Sequence, residues 1–263
     1  MSNSRIYYVN SINRISGTCG DFSYQIGLPS GSAFDRVCVL QADIPISYYL
    51  VPPNYNTFVL SENGSSQTVT VPVGNYNANS FATVLTGLLN ASSPNGWVYT
   101  VTFPSGFNTV STAKYTFSVT GNSGQTASFT FTNALYEQFG FNTNSTISFT
   151  SSVVSANVVS FVPETSLIIH SDIVNDGETD ILQVVFNNNN TPFSTATYQC
   201  SDVNSFSKPL RTTQSNVYHF SITDEHGRTI DLNGVNCIFS LVLYKQDNLT
   251  QLVKSYMRNT LGV

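Results

Sequence analysis

Charged side chains are scarce in this sequence. Asp, Glu, Lys and Arg together make up 10% of the 263 residues, whereas an ordinary soluble domain has about 25%. The exposed polar surface must therefore consist mostly of Asn, Ser, Thr, Gln and Tyr. Uncharged polar groups cost less to desolvate than ions do, so such a surface can be buried against other protein copies. A secreted or extracellular β-protein has a similar composition, so composition alone leaves both classes open.

Basic residues are especially few. The chain has 10 Lys and Arg against 15 Asp and Glu, which gives a net charge of -5 and an isoelectric point of about 5.0. The basic residues are spread from Arg5 to Arg258 and form no concentrated run. Binding to a phosphate backbone needs a concentrated Lys/Arg surface, so we expect no nucleic-acid partner.

Long apolar runs are also missing from the sequence. The segment from Met1 to Tyr8 lacks the apolar stretch of a signal peptide, and no uncharged apolar stretch is long enough to span a bilayer. We therefore expect synthesis in the cytosol, without a signal peptide and without a membrane span.

Cysteine is sparse and shows no metal-binding spacing. The 4 cysteines are widely separated and form no C-x-x-C pair: Cys19, Cys38, Cys200 and Cys237. Cys38 and Cys237 lie in apolar, strand-like runs, in which a thiol behaves as a small hydrophobic group. We expect reduced cysteines in the core or in loops. A disulfide between two of them remains an open alternative.

Sequence signatures of catalysis are absent as well. The chain contains no H-x-x-x-H, G-x-S-x-G, G-x-G-x-x-G or Walker-type motif. His170 and His219 fall in strand-like runs and His226 in a turn, where a hydrogen-bonded or solvated histidine is expected. The sequence predicts no enzyme, with no catalytic and no cofactor-binding residues. A hydrolase whose nucleophile and base meet only in the fold is the alternative.

One acidic cluster surrounds a glycine, and its members are Asp172, Asp176, Glu178 and Asp180. Such oxygen ligands could hold calcium, but their spacing does not match an EF-hand loop. The dipeptide Asp176-Gly177 favours a tight hairpin. We interpret the cluster as a solvated hairpin tip and predict no metal site.

Short runs of β-branched and aromatic residues are abundant, and they are bounded by Gly, Pro, Asn and Asp. Their alternation of apolar and polar residues predicts antiparallel strands from end to end. Residues 237–244 are apolar on both faces, which is typical of a strand at the centre of a core or buried by another subunit. The pattern predicts an all-β fold, either a sandwich or a jelly roll.

One clear helix interrupts the strands. Five apolar residues recur at the spacing of one helix face: Phe81, Val84, Leu85, Leu88 and Leu89. Asn79 or Ser80 is placed to cap its start. We expect this apolar stripe to pack on a sheet, with a partner-binding helix as the alternative. Residues 133–141 predict a helical turn closed by Gly140, and residues 249–257 predict a short docking helix.

Four segments carry a resemblance to a known family: residues 11–26, residues 71–85, the Phe139-Gly140-Phe141 element and residues 222–232. They resemble penton-type minor capsid proteins of virophages, polinton-like viruses and related large double-stranded DNA viruses. The resemblance extends from about Arg5 to Tyr244.

This resemblance implies a jelly-roll subunit of the virion capsid. Five copies would form a homopentamer that closes each fivefold vertex and contacts a trimeric double-jelly-roll major capsid protein. Other minor capsid proteins or a host receptor would be candidates for further partners. The segments before Phe22 and after Lys245 are candidates for arms that lace subunits together.

The chain is long for one jelly roll, which leaves room for an insertion. We expect residues 1–62 plus 163–263 to form the jelly-roll domain. Residues 63–162 would form an inserted β-rich domain that carries the short helix, because the mostly apolar strands 36–44 and 237–244 lie outside it. The alternative function is a receptor- or glycan-binding β-sandwich, in which exposed Tyr residues and Trp97 stack on sugar rings.

Overall fold

The protein is represented by a computed structural model. It describes residues 4–28, 34–104, 111–142, 145–174, 179–188, 191, 193–211 and 216–246. The expected hairpin tip at 175–178 and the expected docking helix at 249–257 lie outside these residues. No helix in the described ranges is long and apolar enough to cross a membrane.

Strands dominate the described chain, in agreement with the predicted all-β class. In chain order the elements are β1 (Ser4–Asn10), a 3-10 helix (Ser11–Asn13), β2 (Ser16–Gly17), β3 (Asp21–Gln25), β4 (Arg36–Pro45), β5 (Thr57–Glu62), β6 (Ser65–Thr70), α1 (Ala78–Ser92), β7 (Val98–Thr102), β8 (Thr116–Thr120), β9 (Ala127–Thr130), α2 (Tyr136–Phe139), β10 (Thr146–Phe149), β11 (Ser152–Val154), β12 (Ser166–Ser171), β13 (Ile181–Phe186), β14 (Thr195–Gln199), α3 (Val203–Phe206), β15 (Lys208–Pro209), β16 (Val217–Thr223) and β17 (Ile238–Tyr244).

The chain divides into two compact units. The first unit comprises Met1–Tyr48 and Pro163–Val263, and the second comprises Tyr49–Val162. The second unit thus begins at Tyr49 and not at residue 63. The reason is that β5 pairs with β6 and β9, which places residues 57–62 in the sheet of the second unit.

In its described residues, the first unit forms two antiparallel sheets. One has the order β1-β17-β4-β14, with β15 also pairing with β4, and the other has the order β13-β12-β16-β3-β2. Apart from the two-residue strands β2 and β15, the described strands of this unit are β1, β3, β4, β12, β13, β14, β16 and β17. When these eight strands are numbered in chain order, the first sheet contains the first, eighth, third and sixth strands, side by side in that order. The second sheet contains the fifth, fourth, seventh and second strands. This connectivity is that of a jelly roll.

Strand β17 occupies the centre of the first sheet. It lies between β1 and β4, and its residues from Phe239 to Leu243 are all buried. One face contributes Phe239, Leu241 and Leu243 to the core. At its C-terminal end, the Tyr244 hydroxyl contacts the Ser207 hydroxyl at 3.0 Å, next to α3. The apolar run at 237–244 is therefore a central strand, one of the two expected alternatives.

The N-terminal segment is part of this sandwich. Residues 4–10 pair with β17 along their whole length, from Ser4 opposite Tyr244 to Asn10 opposite Ile238. Val9 is buried in the core. The interpretation of the segment before Phe22 as a free arm is therefore wrong, because its removal would expose a central strand of the jelly roll.

The described part of the second unit also forms two sheets, of order β10-β9-β5-β6 and β11-β8-β7. Helix α1 buries Phe81, Ala82, Leu85 and Leu89 and packs against β7 and β6. The expected packing of its apolar stripe on a sheet is confirmed. Its cap is Asn77, two positions before the expected Asn79, because the Asn77 side chain accepts from the Ser80 N–H in a capping box.

An aromatic cluster fills the second unit, with Phe139 at its centre. The Phe139 ring lies 4.9 Å from the rings of Phe58 and Phe131 and stacks on Phe117 at 5.6 Å. Gly140 ends α2 in the left-handed conformation, as predicted. The Phe139-Gly140-Phe141 element is thus a packing element of the second unit.

Candidate assembly surface

Strand register gathers the ends of four strands at one end of the first unit. Asn10 of β1 lies opposite Ile238 of β17, Ile238 lies opposite Asp43 of β4, and Pro45 lies opposite Thr195 of β14. Residues 11–17 follow β1, residues 193–194 precede β14, and residues 233–237 precede β17. We call these three segments, together with Ile238, the loop end of the jelly roll.

Large apolar side chains are exposed at the loop end. Their exposed fractions are 62% for Ile12, 57% for Ile15, 78% for Phe193, 45% for Val235 and 46% for Ile238. Beyond the strand ends at the opposite end of the first sheet, Phe206 of α3 is the exposed large apolar side chain among the described residues, and Ile6 is exposed on β1 itself. Single exposed apolar residues are ordinary, but a group of them is typical of an interaction site.

Hydrogen bonds hold the loop end in a fixed conformation. The Ser11 N–H donates to the Cys237 carbonyl at 3.1 Å, and the Ser11 hydroxyl donates to Asn236 Oδ1 at 3.0 Å. The Arg14 guanidinium donates to the carbonyls of Ser11 at 2.9 Å and Gly17 at 3.0 Å. The surface is therefore preorganised, which lowers the entropy cost of binding a partner.

Phe193 adds backbone strain to the loop end. Its φ is +66°, a region that a bulky side chain rarely occupies. Its N–H donates to the Ile46 carbonyl at 2.9 Å, which fixes this conformation. An exposed aromatic residue held in a strained conformation is an observation that favours a functional role over a packing role.

Two of the segments that carry the family resemblance build the frame of the loop end. Gly17 has a φ of +96°, and a Cβ on Gly20 would collide with the Ile230 carbonyl. Asp224 is buried, accepts from the backbone N–H of Arg228 at 2.8 Å, and forms an ion pair with the Arg228 guanidinium. These residues therefore specify turns of the jelly roll.

The histidines of the second sheet are hydrogen-bonded, as expected. His170 Nδ1 lies 2.8 Å from Asp180 Oδ1, and His170 Nε2 lies 2.9 Å from the Thr223 hydroxyl. His219 Nε2 lies 2.6 Å from Asp21 Oδ1. These contacts join β12 to β16 and β16 to β3.

The hydrogen bonds from Asp180 through His170 to Thr223 have the connectivity of a catalytic triad, but the Thr223 hydroxyl lacks the access that a nucleophile needs. Thr223 is buried, and its hydroxyl also lies 3.1 Å from the Asp224 carbonyl, to which it donates. A nucleophile must instead be free to reach a substrate carbonyl. The contacts thus pin neighbouring strands together.

The acidic cluster is only partly within the described residues, because Asp176 and Glu178 lie outside them. Asp172 accepts from the His219 N–H at 2.8 Å, and Asp180 contacts His170. Across the described ranges, no group of three or more His, Cys, Asp and Glu side chains is arranged to hold a metal.

Sequence reasoning missed a buried acidic residue in the second unit. Glu62 has no exposed surface. Its carboxylate accepts from the Ser93 hydroxyl at 2.7 Å, the Tyr99 hydroxyl at 2.9 Å and the Asn95 N–H at 2.7 Å. Burial, together with the hydrogen bond to Glu62, raises the pKa of Tyr99, which keeps its hydroxyl a donor. Trp97 in the same loop is 6% exposed, so its ring cannot stack on a sugar.

The cysteines are reduced, and two of them are neighbours. All four are free thiols, and Cys38 Sγ lies 3.7 Å from Cys200 Sγ. Burial raises the pKa of Cys237 to about 11 and, with the contact to Cys200, that of Cys38 to about 12. Both buried thiols are therefore protonated at neutral pH.

The chain is thus an all-β protein whose first unit is a jelly roll. No protein-family profile and no curated protein matches its sequence. Among solved structures it is similar to the mavirus penton protein, with a TM-score of 0.47 and 13% identity over 92% of this chain and 100% of that chain. The strand order of the first unit, and not this similarity, identifies the jelly roll.

Proposed function

We propose that this protein is a minor capsid protein that closes the fivefold vertices of an icosahedral viral capsid as a homopentamer. In the capsid it would contact a double-jelly-roll major capsid protein. The observation that carries the proposal is the jelly-roll strand order with exposed apolar residues gathered at one end. The four sequence segments that resemble penton-type proteins support the same assignment.

A fivefold ring needs a heterologous interface, in which one surface of a subunit meets a different surface of the next. The loop end supplies an apolar surface for one side of such a contact. Burying a large apolar side chain completely contributes about 1.5–3 kcal/mol. Since the five side chains of the loop end are already about half buried, they would together contribute roughly 5 kcal/mol.

That contribution is too small to hold a stable ring alone, because association costs at least about 4 kcal/mol in lost rotational and translational freedom. A stable contact usually buries on the order of 1,000 Å² or more. Strand β1 offers additional surface. Among the described strands it lies at the edge of its sheet, next to β17, and Ile6 and Tyr8 are exposed on it. We propose that the edge of β1 extends the subunit contact.

The test is the mass of the full-length protein in solution by light scattering, alone and after mixing with the major capsid protein. We expect a species near five times 28.7 kDa. The double variant Ile12→Ser/Ile15→Ser should shift the population toward monomer. Phe206→Ser, at the opposite end of the sheet, is the matched control and should leave the mass unchanged.

Two outcomes would overturn the proposal. A protein that stays monomeric with and without the major capsid protein would exclude the vertex role. If both variants assemble as the wild type does, the ring forms without the loop end.

A further inference from the structure

The two neighbouring thiols lie on adjacent strands of the first sheet. Cys38 belongs to β4, and Cys200 directly follows β14. The Cys200 N–H donates to the Leu40 carbonyl at 2.8 Å, which extends the β14–β4 pairing and fixes Cys200 against β4. The Cys38 thiol donates to the Val39 carbonyl at 3.4 Å. The Sγ–Sγ distance of 3.7 Å is thus set by paired backbone.

We propose that Cys38 and Cys200 form an oxidation site that closes an intrachain disulfide. A disulfide bond is about 2.05 Å long. The two sulfurs, now 3.7 Å apart, must therefore approach each other by about 1.7 Å. Rotations of the two side chains would achieve this approach. Strand pairing on both sides of the site would be retained.

The oxidant is a low-molecular-weight disulfide such as oxidised glutathione. Cys200 is the more exposed thiol, so its thiolate attacks the small disulfide first and releases one small thiol. The Cys38 sulfur, after losing its proton, attacks Cys200 Sγ and releases the second small thiol. In total, two electrons and two protons pass from the cysteines to the oxidant, which is reduced to two thiols.

The second step has a defined pH dependence. Burial raises the pKa of Cys38 to about 12, so the reactive thiolate is a small fraction at neutral pH. Below that pKa the thiolate fraction rises about tenfold for each pH unit. Disulfide closure should therefore accelerate as the pH rises.

The position of the bond gives it a structural consequence. The loop that it closes contains the whole second unit, Tyr49–Val162, and closing a long loop restricts the unfolded chain strongly. The biological use rests on the proposed function: the thiols would stay reduced in the host cytosol and oxidise on a released particle. The chemistry of the site does not depend on that use.

The test is thiol mapping by mass spectrometry on the folded, full-length protein, with oxidised glutathione as the probe. After oxidation and alkylation of the remaining thiols, we expect a linked pair of peptides that contain Cys38 and Cys200. The intact mass should fall by two hydrogen atoms. The thermal midpoint of the oxidised protein should rise, and added reductant should reverse the shift.

Variants separate the two steps. Cys38→Ser should trap a glutathione adduct on Cys200, whereas Cys200→Ser should leave Cys38 unmodified. Cys19→Ser is the matched control and should oxidise as the wild type does. If Cys38→Ser folds poorly, Cys200→Ser still tests the pair. Cys200 is only partly buried, so its replacement by serine should leave the protein folded.

Three outcomes would overturn the inference. They are Cys38 and Cys200 that both remain free thiols after oxidation, a stable glutathione adduct on Cys200 of the wild type, and dimers joined through Cys200. Because the readout is a covalent bond within one chain, its failure is distinguishable from failure of the pentamer to form.

Discussion

Replacement of Glu62 by glutamine changes one atom in the interior of the second unit. In the native protein both carboxylate oxygens accept hydrogen bonds from Ser93, Asn95 and Tyr99. In Glu62→Gln the amide oxygen can still accept from the Ser93 and Tyr99 hydroxyls. The amide nitrogen then faces the Asn95 N–H, so two donors meet in a site without solvent.

The size of the effect follows from these contacts. The variant loses one hydrogen bond to a charged acceptor, worth about 1.5–3 kcal/mol, and leaves a buried donor unsatisfied at about 1–3 kcal/mol. The neutral amide is less costly to bury than a carboxylate, which offsets part of this loss. We expect the free energy of unfolding of the second unit to fall by about 2–4 kcal/mol.

The single tryptophan provides the assay. Trp97 lies in the second unit, and its backbone N–H donates to the Ser93 hydroxyl at 2.7 Å. Its fluorescence therefore reports unfolding around Glu62. With a urea dependence of about 1–2 kcal/mol per molar, typical of a small domain, the midpoint should fall by roughly 2 M. Glu225→Gln, an exposed turn residue of the first unit, is the control and should leave the Trp97 transition unchanged.

A second variant tests the network itself. Tyr99→Phe removes one donor, and combining it with Glu62→Gln should cost less than the sum of the two single effects, because both act on the same contacts. A Glu62→Gln midpoint as high as that of Glu225→Gln would refute the reasoning, since the three hydrogen bonds would then contribute nothing to stability.

Two further substitutions test packing and charge in the separate units. Gly140→Ala should destabilise the second unit by about 2–4 kcal/mol, because Gly140 has a φ of +73° and a Cβ there would lie 2.6 Å from the Asn157 carbonyl oxygen. Gly121→Ala, with a φ of +79° but open space around it, should cost only about 1 kcal/mol in the same Trp97 assay. Arg228→Ala should lower the free energy of unfolding of the first unit by about 3 kcal/mol, because the buried carboxylate of Asp224 loses its charged partner. Circular dichroism would measure that loss, and an unchanged transition would contradict it.

Local patterns account for what the sequence predicts well. The alternation in Tyr218, Phe220 and Ile222, the apolar run that became β17, and the spacing of α1 each encode a period or a burial pattern within one segment. Gly140 marks a helix end because the left-handed conformation favours glycine.

Long-range pairing accounts for what the sequence does not predict. Nothing near residues 4–10 indicates that they pair with residues 238–244, so β1 looks like a free arm until both strands are seen together. Glu62 gives no local signal either, because its donors come from residues 93–99 across the chain. The loop end is also a tertiary feature, since its apolar residues come from three separate segments.

The apolar character of the loop end has a consequence for temperature. Contacts that bury apolar surface have a negative heat-capacity change, and they weaken on cooling. With few charged residues nearby to respond to screening, ordinary salt should matter little, whereas sulfate should strengthen association. A preparation that dissociates on ice and reassembles when warmed would then reflect the properties of this surface and would not indicate damaged protein.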